Sequence, residues 1–216
     1  MVDDIIREIE EDLRSDRYKK LWQRYQNHVY GAAVLLVIGV AGFEFWQQRE
    51  VAARAAEGAR YAEAMALVDK GDLAGADQAL AALARDAGRG YATLARLYEA
   101  DLLAQKGDVD AALERYDAVA SDSGAERAFR DLALLLGASH RVDKEDAARL
   151  AQRLQPLLAD DNPWRFSARE LAAVAALHGG DTAEARSNLA RLSDDAAAPV
   201  GIRARATELL KSLGDE

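Results

Sequence analysis

Apolar residues recur at helical spacing along almost the whole chain, and in one stretch the polar positions between them vanish. Residues 29–46 read VYGAAVLLVIGVAGFEFW, with Glu44 as the single charge. A helix rising about 1.5 Å per residue covers ~27 Å over this stretch, close to the ~30 Å hydrocarbon core of a bilayer. Only a helix satisfies its own backbone N–H and C=O groups there. Aromatic rings gather at both ends, Trp22, Tyr25 and Tyr30 before the run and Phe43, Phe45 and Trp46 near its close, as expected where amphipathic rings meet headgroups. A buried core helix is the competing reading, but no polar face interrupts residues 29–43. A cleaved leader fits poorly, because the segment before the run is long and no small-x-small site follows it. The pattern predicts an uncleaved, single-span anchor with Trp22, Tyr30, Phe43 and Trp46 as its interfacial residues.

The flanks give that anchor a direction. Arg17, Lys19, Lys20 and Arg24 precede the run with no acid among residues 17–28, whereas Arg49 and Arg54 after it are interleaved with Glu50 and Glu57. Basic residues near a span favour the cytoplasmic side. Residues 1–28 are therefore expected in the cytoplasm, 29–46 in the membrane, and 47–216 beyond it. Within residues 1–16, Ile5, Ile6, Ile9 and Leu13 form one helical stripe among acids. That segment is either a fraying surface helix or a handle for a cytoplasmic protein, since so short a helix is marginal without a partner. No proline falls between residues 17 and 70, which allows one nearly continuous helix with Gly58 as its weakest point.

Beyond the anchor the helical pattern repeats. Lys70-Gly71-Asp72-Leu73, Lys106-Gly107-Asp108-Val109, Arg141-Val142-Asp143-Lys144 and Gly179-Gly180-Asp181-Thr182 stand in near-regular phase, each between two helical patterns. Four residues after each aspartate comes alanine (Ala76, Ala112, Ala147, Ala185), and eight after comes Leu80, Tyr116, Ala151 or Leu189. Leu83, Val119, Leu154 and Leu192 follow three further on. Glycine permits the left-handed residue that ends one helix, aspartate caps the next, and alanine lets the two approach. Helix, tight turn, helix at a period near 34 residues is the tetratricopeptide pattern. The third segment departs from it, with Val142 in place of glycine. Asp161-Asn162-Pro163 is expected to open the first helix of the fourth repeat, with proline at its first helical position. Pro156 falls late in the second helix of repeat three, residues 121–124 form a loop, and a last helix, Pro199 to Leu213, caps the array. The expected architecture is all-α: one transmembrane helix, then an α-solenoid of about four helix pairs and a C-terminal capping helix.

Composition adds exclusions. The net charge is −9, with −7 of it in residues 47–216, which argues against nucleic acid as a partner. Absent cysteine rules out disulfides, thiolate metal sites and thiol nucleophiles. His28, His140 and His178 lack a paired ligand at metal spacing; His140 and His178 each end the first helix of a repeat, where a cationic ring suits the helix C-terminus. Gly88-Arg89-Gly90 has no strand before it to make a phosphate loop. Neither an enzyme nor a cofactor or metal site is expected. Binding remains, and repeat register places Tyr61, Met65, Leu94, Leu97, Phe129, Leu132, Leu136, His140, Glu170, Val174 and His178 on the first helices, which line a solenoid's groove. Each is a candidate partner contact or a core residue between repeats.

The whole chain resembles the YfgM-type ancillary subunits of the bacterial SecYEG translocon. The basic, aromatic lead-in Lys19-Lys20-Leu21-Trp22, the span ending Gly42-Phe43-Glu44-Phe45-Trp46 and the repeat array directly after it carry the likeness. The resemblance implies a bacterial inner-membrane protein with a cytoplasmic N-terminus and a periplasmic repeat domain. It also implies partners: the translocon, a membrane-anchored periplasmic chaperone of the PpiD type, and unfolded or nascent secreted chains. The reading is a translocon-associated chaperone or adaptor in protein transport. Two alternatives stand beside it, a scaffold for envelope assembly or cell division, and a regulator acting through residues 1–16.

Overall fold

The computed structural model describes the backbone of residues 2–214 and the side chains of residues 24–26, 30–31 and 35–214. Among the described residues every regular element is helical. They are α1 (Val2–Asp69), α2 (Leu73–Asp86), α3 (Arg89–Gln105), α4 (Val109–Ser121), α5 (Arg127–Ser139), α6 (Ala147–Leu154), α7 (Arg165–His178), α8 (Thr182–Asp194) and α9 (Val200–Ser212), with a 3-10 turn at Gln155–Leu157. The chain divides into two compact units, Met1–Ala55 and Ala56–Glu216.

The described residues of the first unit belong to α1. Leu35, Leu36, Val37, Ile38, Val40, Phe43, Phe45 and Trp46 are each 59–71% exposed, so this run buries its apolar surface against nothing in the described chain. Tyr30 is likewise exposed. Among the described residues no helix is long and apolar enough to cross a membrane. Residues 29 and 32–34 of the expected span, the belt residue Trp22, and the stripe Ile5, Ile6, Ile9 and Leu13 lie outside the described side chains.

The second unit is a stack of helix pairs. Residues 56–69 of α1 pack on α2 through Ala64, Ala76, Leu80 and Leu83. Then α3 pairs with α4, α5 with α6 and α7 with α8, while α9 covers the last pair. First members of successive pairs also touch, α3 with α5, α5 with α7 and α7 with α9, as in a solenoid whose repeats contact only their neighbours. Gly58 does not interrupt α1. Tyr91 Oη approaches to 2.7 Å from where a Cβ on residue 58 would stand, so the glycine serves a close approach of α3.

Three of the turns share one geometry. Gly71, Gly107 and Gly180 have φ of 77°, 87° and 78°, values that cost a residue with a Cβ. The next amides return to the preceding helix, with Asp72 N to Leu67 O at 2.9 Å, Asp108 N to Leu103 O at 2.9 Å and Asp181 N to Ala176 O at 2.8 Å. Each aspartate then caps the following helix. Its Oδ1 accepts from Gly75 N at 2.9 Å, Ala111 N at 3.2 Å and Glu184 N at 2.9 Å respectively. Such caps contribute roughly 1 kcal/mol apiece. One turn further on, Ala76, Ala112 and Ala185 are fully buried, and Leu80, Tyr116 and Leu189 fill the space beside them.

The third turn is built differently, which corrects the expected register. Val142 cannot take the left-handed conformation cheaply, and no residue of residues 140–146 has positive φ. The chain runs on through a turn in which Lys144 and Glu145 amides both donate to Arg141 O at 2.9 Å. The cap of α6 is Asp146, three residues past the expected Asp143, and its carboxylate accepts from Ala148 and Arg149. Counting from Asp146, the buried positions are Leu150, Leu154 and Leu157, not Ala147 and Ala151. Arg141 fills the junction. Its side chain is 9% exposed and pairs with Asp117 of α4, with Glu145 at 3.9 Å; Arg153 Nε reaches Glu145 at 2.9 Å.

The opening of α7 is also displaced. Pro163 is not in the helix, which begins at Arg165. Asn162 is fully buried; its Oδ1 accepts from Trp164 N at 2.9 Å and its Nδ2 donates to Asp131 of α5 at 2.8 Å. The loop is thereby tied to the neighbouring repeat. Pro156 sits in the 3-10 turn that follows α6. The last helix has Pro199 as its N-cap residue, not its first helical residue.

Replacing Arg141 by alanine should lower unfolding stability by about 2 kcal/mol, because Glu145 would stay buried with only Arg153 as partner. A comparable change at exposed Arg149 should be near neutral. Paired urea titrations check this, and equal losses at both positions would remove Arg141 from its role as the substitute for a turn glycine.

Candidate functional site

Nine of the eleven candidate contacts fall into three settings, and the two histidines lie apart from them. Tyr61, late in α1, packs against two tyrosines of α3, with ring centroids 6.1 Å from Tyr91 and 5.6 Å from Tyr98. Burial, then hydrogen bonding to Tyr98, pushes the Tyr61 phenol above its ordinary range. Met65 is half-buried beside them. In the next pair Leu97 is 3% exposed and belongs to the core with Ala100, Ala112 and Tyr116. Phe129 and Leu132 rest half-buried on that same cluster, and Leu94 is half-buried on α3.

The third setting is a cleft. Leu135, Leu136 and Ser139 of α5 face Ser167, Glu170, Leu171 and Val174 of α7 around a space of about 360 Å³. Three of the candidates, Leu136, Glu170 and Val174, come together here. Leu135, Leu171 and the two serines were not among them. For Leu135 the signal was the distance to the helix end: it precedes the C-cap His140 by the same interval as Val174 precedes the C-cap Gly179. Successive first helices are parallel repeats of one element, so positions equally spaced from their ends meet.

The cleft has an apolar floor and one fixed charge at its rim. Arg205 of α9 grips Glu170 through Nε to Oε1 at 2.6 Å and Nη2 to Oε2 at 2.8 Å. This bidentate fork fixes the carboxylate, and the hydrogen bonds that Arg205 donates to Glu170, with the charge of Glu170, raise the Arg205 pKa further. Its polar lining consists of two serines and the Glu170 carboxylate, with no histidine among the lining residues. What the arrangement can do is hold apolar side chains while its serines and Glu170 meet polar groups at the edge.

The two histidines lie outside the cleft. His140 ends α5 and stacks on Tyr116, with centroids 5.9 Å apart and planes 16° from parallel. His178 ends α7, and its Nδ1 lies 3.0 Å from Asp143 Oδ1. Asp143, displaced from capping, thus faces the neighbouring repeat. Among the described residues no group of three or more His, Asp or Glu is placed to hold a metal ion.

The profile of the Tetratricopeptide repeat-like domain matches residues 19–187. The chain belongs to that family. The match takes in the apolar run and the helix pairs as far as α8. No curated protein and no solved structure matches the chain. Tetratricopeptide repeat-like domains are typically non-enzymatic and serve protein–protein interaction, which agrees with a cleft that offers shape, apolar surface and a fixed charge.

Tyr116 provides a test of how repeat two is packed. Burial, with Asp101 adding to it, pushes its phenol up from 10.0 to about 12, and its Oη is buried with no hydrogen-bond partner among the described residues. The Phe variant should keep full stability or gain up to ~1 kcal/mol, whereas Ala should cost ~3–5 kcal/mol through the cavity. Because the folded-state pKa is the higher one, the protein should lose stability as pH rises from 10 towards 12. The Phe variant should lose less over that window. Thermal melts across pH 9–12 check both statements.

Proposed function

We propose that the chain is a membrane-anchored, non-enzymatic adaptor or chaperone that works beside the Sec translocon. Its repeat domain is placed on the outer face of a bacterial inner membrane. The observation that carries this reading is the pairing of two parts within one family match: an exposed apolar helical run at residues 35–46 and a tetratricopeptide-like solenoid after it. An apolar run of that size left bare is a membrane or protein contact. The aromatic ends and the basic lead-in favour a lipid span with the N-terminus inside. The α5–α7 cleft suits apolar segments of chains not yet folded, or of a PpiD-type partner. Tethering raises the effective concentration of a weak site over its client without new contacts.

Two measurements test this. In membranes washed with alkaline carbonate, the full-length protein should stay in the pellet, and a form lacking residues 29–46 should move to the supernatant. Equal release of both would remove the anchor. Co-purification of the tagged protein in mild detergent should recover translocon subunits near stoichiometry. Val174→Asp with Leu135→Asp should lower recovery of secreted clients roughly tenfold while translocon recovery is unchanged. Recovery of division or outer-membrane assembly proteins instead of the translocon would overturn the reading in favour of a scaffold.

A further inference from the structure

A second cleft, of about 370 Å³, lies where the α2–α3 and α4–α5 connections meet. Its walls carry Arg85 from the end of α2, Arg89 and Arg96 from α3, and Asp122 from the loop after α4, over a floor that includes three alanines. Arg96 is matched with Asp122 at 3.4 Å. Neither of the other two guanidinium groups is held in an ion pair among the described residues, although Arg85 acts on the Glu99 carboxylate through space. Arg85 spends only its Nε on the Ala81 carbonyl, at 3.2 Å, and among the described residues Arg89 has neither an ion pair nor a side-chain hydrogen bond. Both are exposed.

The surrounding turn is held open. Gly88 N donates to Glu57 Oε1 of α1 at 2.8 Å, and Gly124 N donates to Asp122 Oδ1 of its own loop at 2.8 Å, so both loop amides are already satisfied. A Cβ on Gly90 would meet nothing within 4 Å. The space in front of the two free forks is not occupied by the chain itself.

We propose that this cleft binds an acidic segment of a partner protein, with a glutamate or aspartate carboxylate seated between Arg85 and Arg89. The fork of a guanidinium matches a carboxylate in bidentate fashion. The lining holds three guanidinium groups and one carboxylate, Asp122; of the acids beside it, Glu57 is held by Gly88 N, and charges beyond the ~8 Å Debye length of physiological salt are largely screened. A local positive site therefore survives on an acidic domain. Asp122, held by Arg96 and by Gly124 N, repels a dianionic phosphate more strongly than a single carboxylate, which turns the choice toward an acidic peptide. The alanine floor gives the aliphatic stem of a glutamate an apolar seat. The site shares no lining residue with the α5–α7 cleft, so it adds a contact of opposite chemistry to the proposed adaptor.

The test uses the full chain in mild detergent and a fluorescein-labelled hexaglutamate peptide, with hexaglutamine as control, read by fluorescence anisotropy. Saturable binding of hexaglutamate alone is expected, weakened roughly tenfold by Arg85→Glu with Arg89→Glu and by raising salt from about 50 to about 300 mM. Val174→Asp, in the other cleft, should leave it unchanged, so failure here is separable from failure of the translocon reading. Arg85→Gln with Arg89→Gln, whose thermal melt should match the parent, guards against misfolding. Equal binding by parent and charge-reversed proteins, or equal binding of hexaglutamine, overturns the proposal. So does displacement of the peptide by inorganic phosphate at constant ionic strength, which would make this a phosphate site.

Discussion

Every helix pair in the repeat domain depends on how the chain reverses between its two helices. In three pairs a glycine at positive φ ends the first helix and an aspartate begins the second. The left-handed residue leaves so little freedom that the helix after it emerges at one angle and one register. A fixed register is what allows an alanine to stand at the closest approach and a larger residue to stand one turn later. Identical pairs can then be laid side by side, and their first helices come into contact. The α5–α7 cleft lies between the first helices of pairs three and four, and only the fourth of these has the glycine turn, at Gly180.

The third pair shows what happens when the constraint is withdrawn. With valine at 142 the chain turns more gradually and reaches its cap three residues late, at Asp146. The longer turn leaves a space between repeats two and three, and a buried arginine occupies it. A guanidinium at 9% exposure is tolerable only with its charge answered, which Asp117 and Glu145 do. The local fold is thus kept by side-chain electrostatics where elsewhere it is kept by backbone conformation. Asp143, no longer needed as a cap, reaches His178 of the next repeat instead.

Much of this was legible in the amino-acid order, because glycine and aspartate act locally. The turns at 71, 107 and 180, the alanine positions after them and the helical class follow from single residues and their spacing. What was not legible depended on absences and on distance. Val142 announces that a glycine is missing, but nothing nearby says where the chain will next find a cap, since Asp143 and Asp146 both offer one. Asn162-Pro163 has the letters of a helix start, yet Asn162 is claimed by Asp131 from another repeat, a contact that sequence neighbours do not reveal. The same holds for the groove. Leu97 and Leu136 look alike in periodicity, and only the packing of Tyr116 against α3 decides that Leu97 is core while Leu136 also opens on the cleft.

The size of the cleft bears on what kind of binder this can be. About 360 Å³ holds a few side chains, and each buried methylene is worth ~0.8 kcal/mol. After the cost of immobilising a flexible client, little net affinity remains from one such cleft. An isolated domain of this design would release its clients quickly. The proposed anchor changes the balance without altering any contact, because a client already threading past the same patch of membrane meets the cleft at high local concentration. Fast release is then an advantage, since a chain that must go on to fold cannot stay bound. Under the proposed anchoring, a weak cleft with a rim fixed by Arg205 and Glu170 would serve such a client better than a tight one.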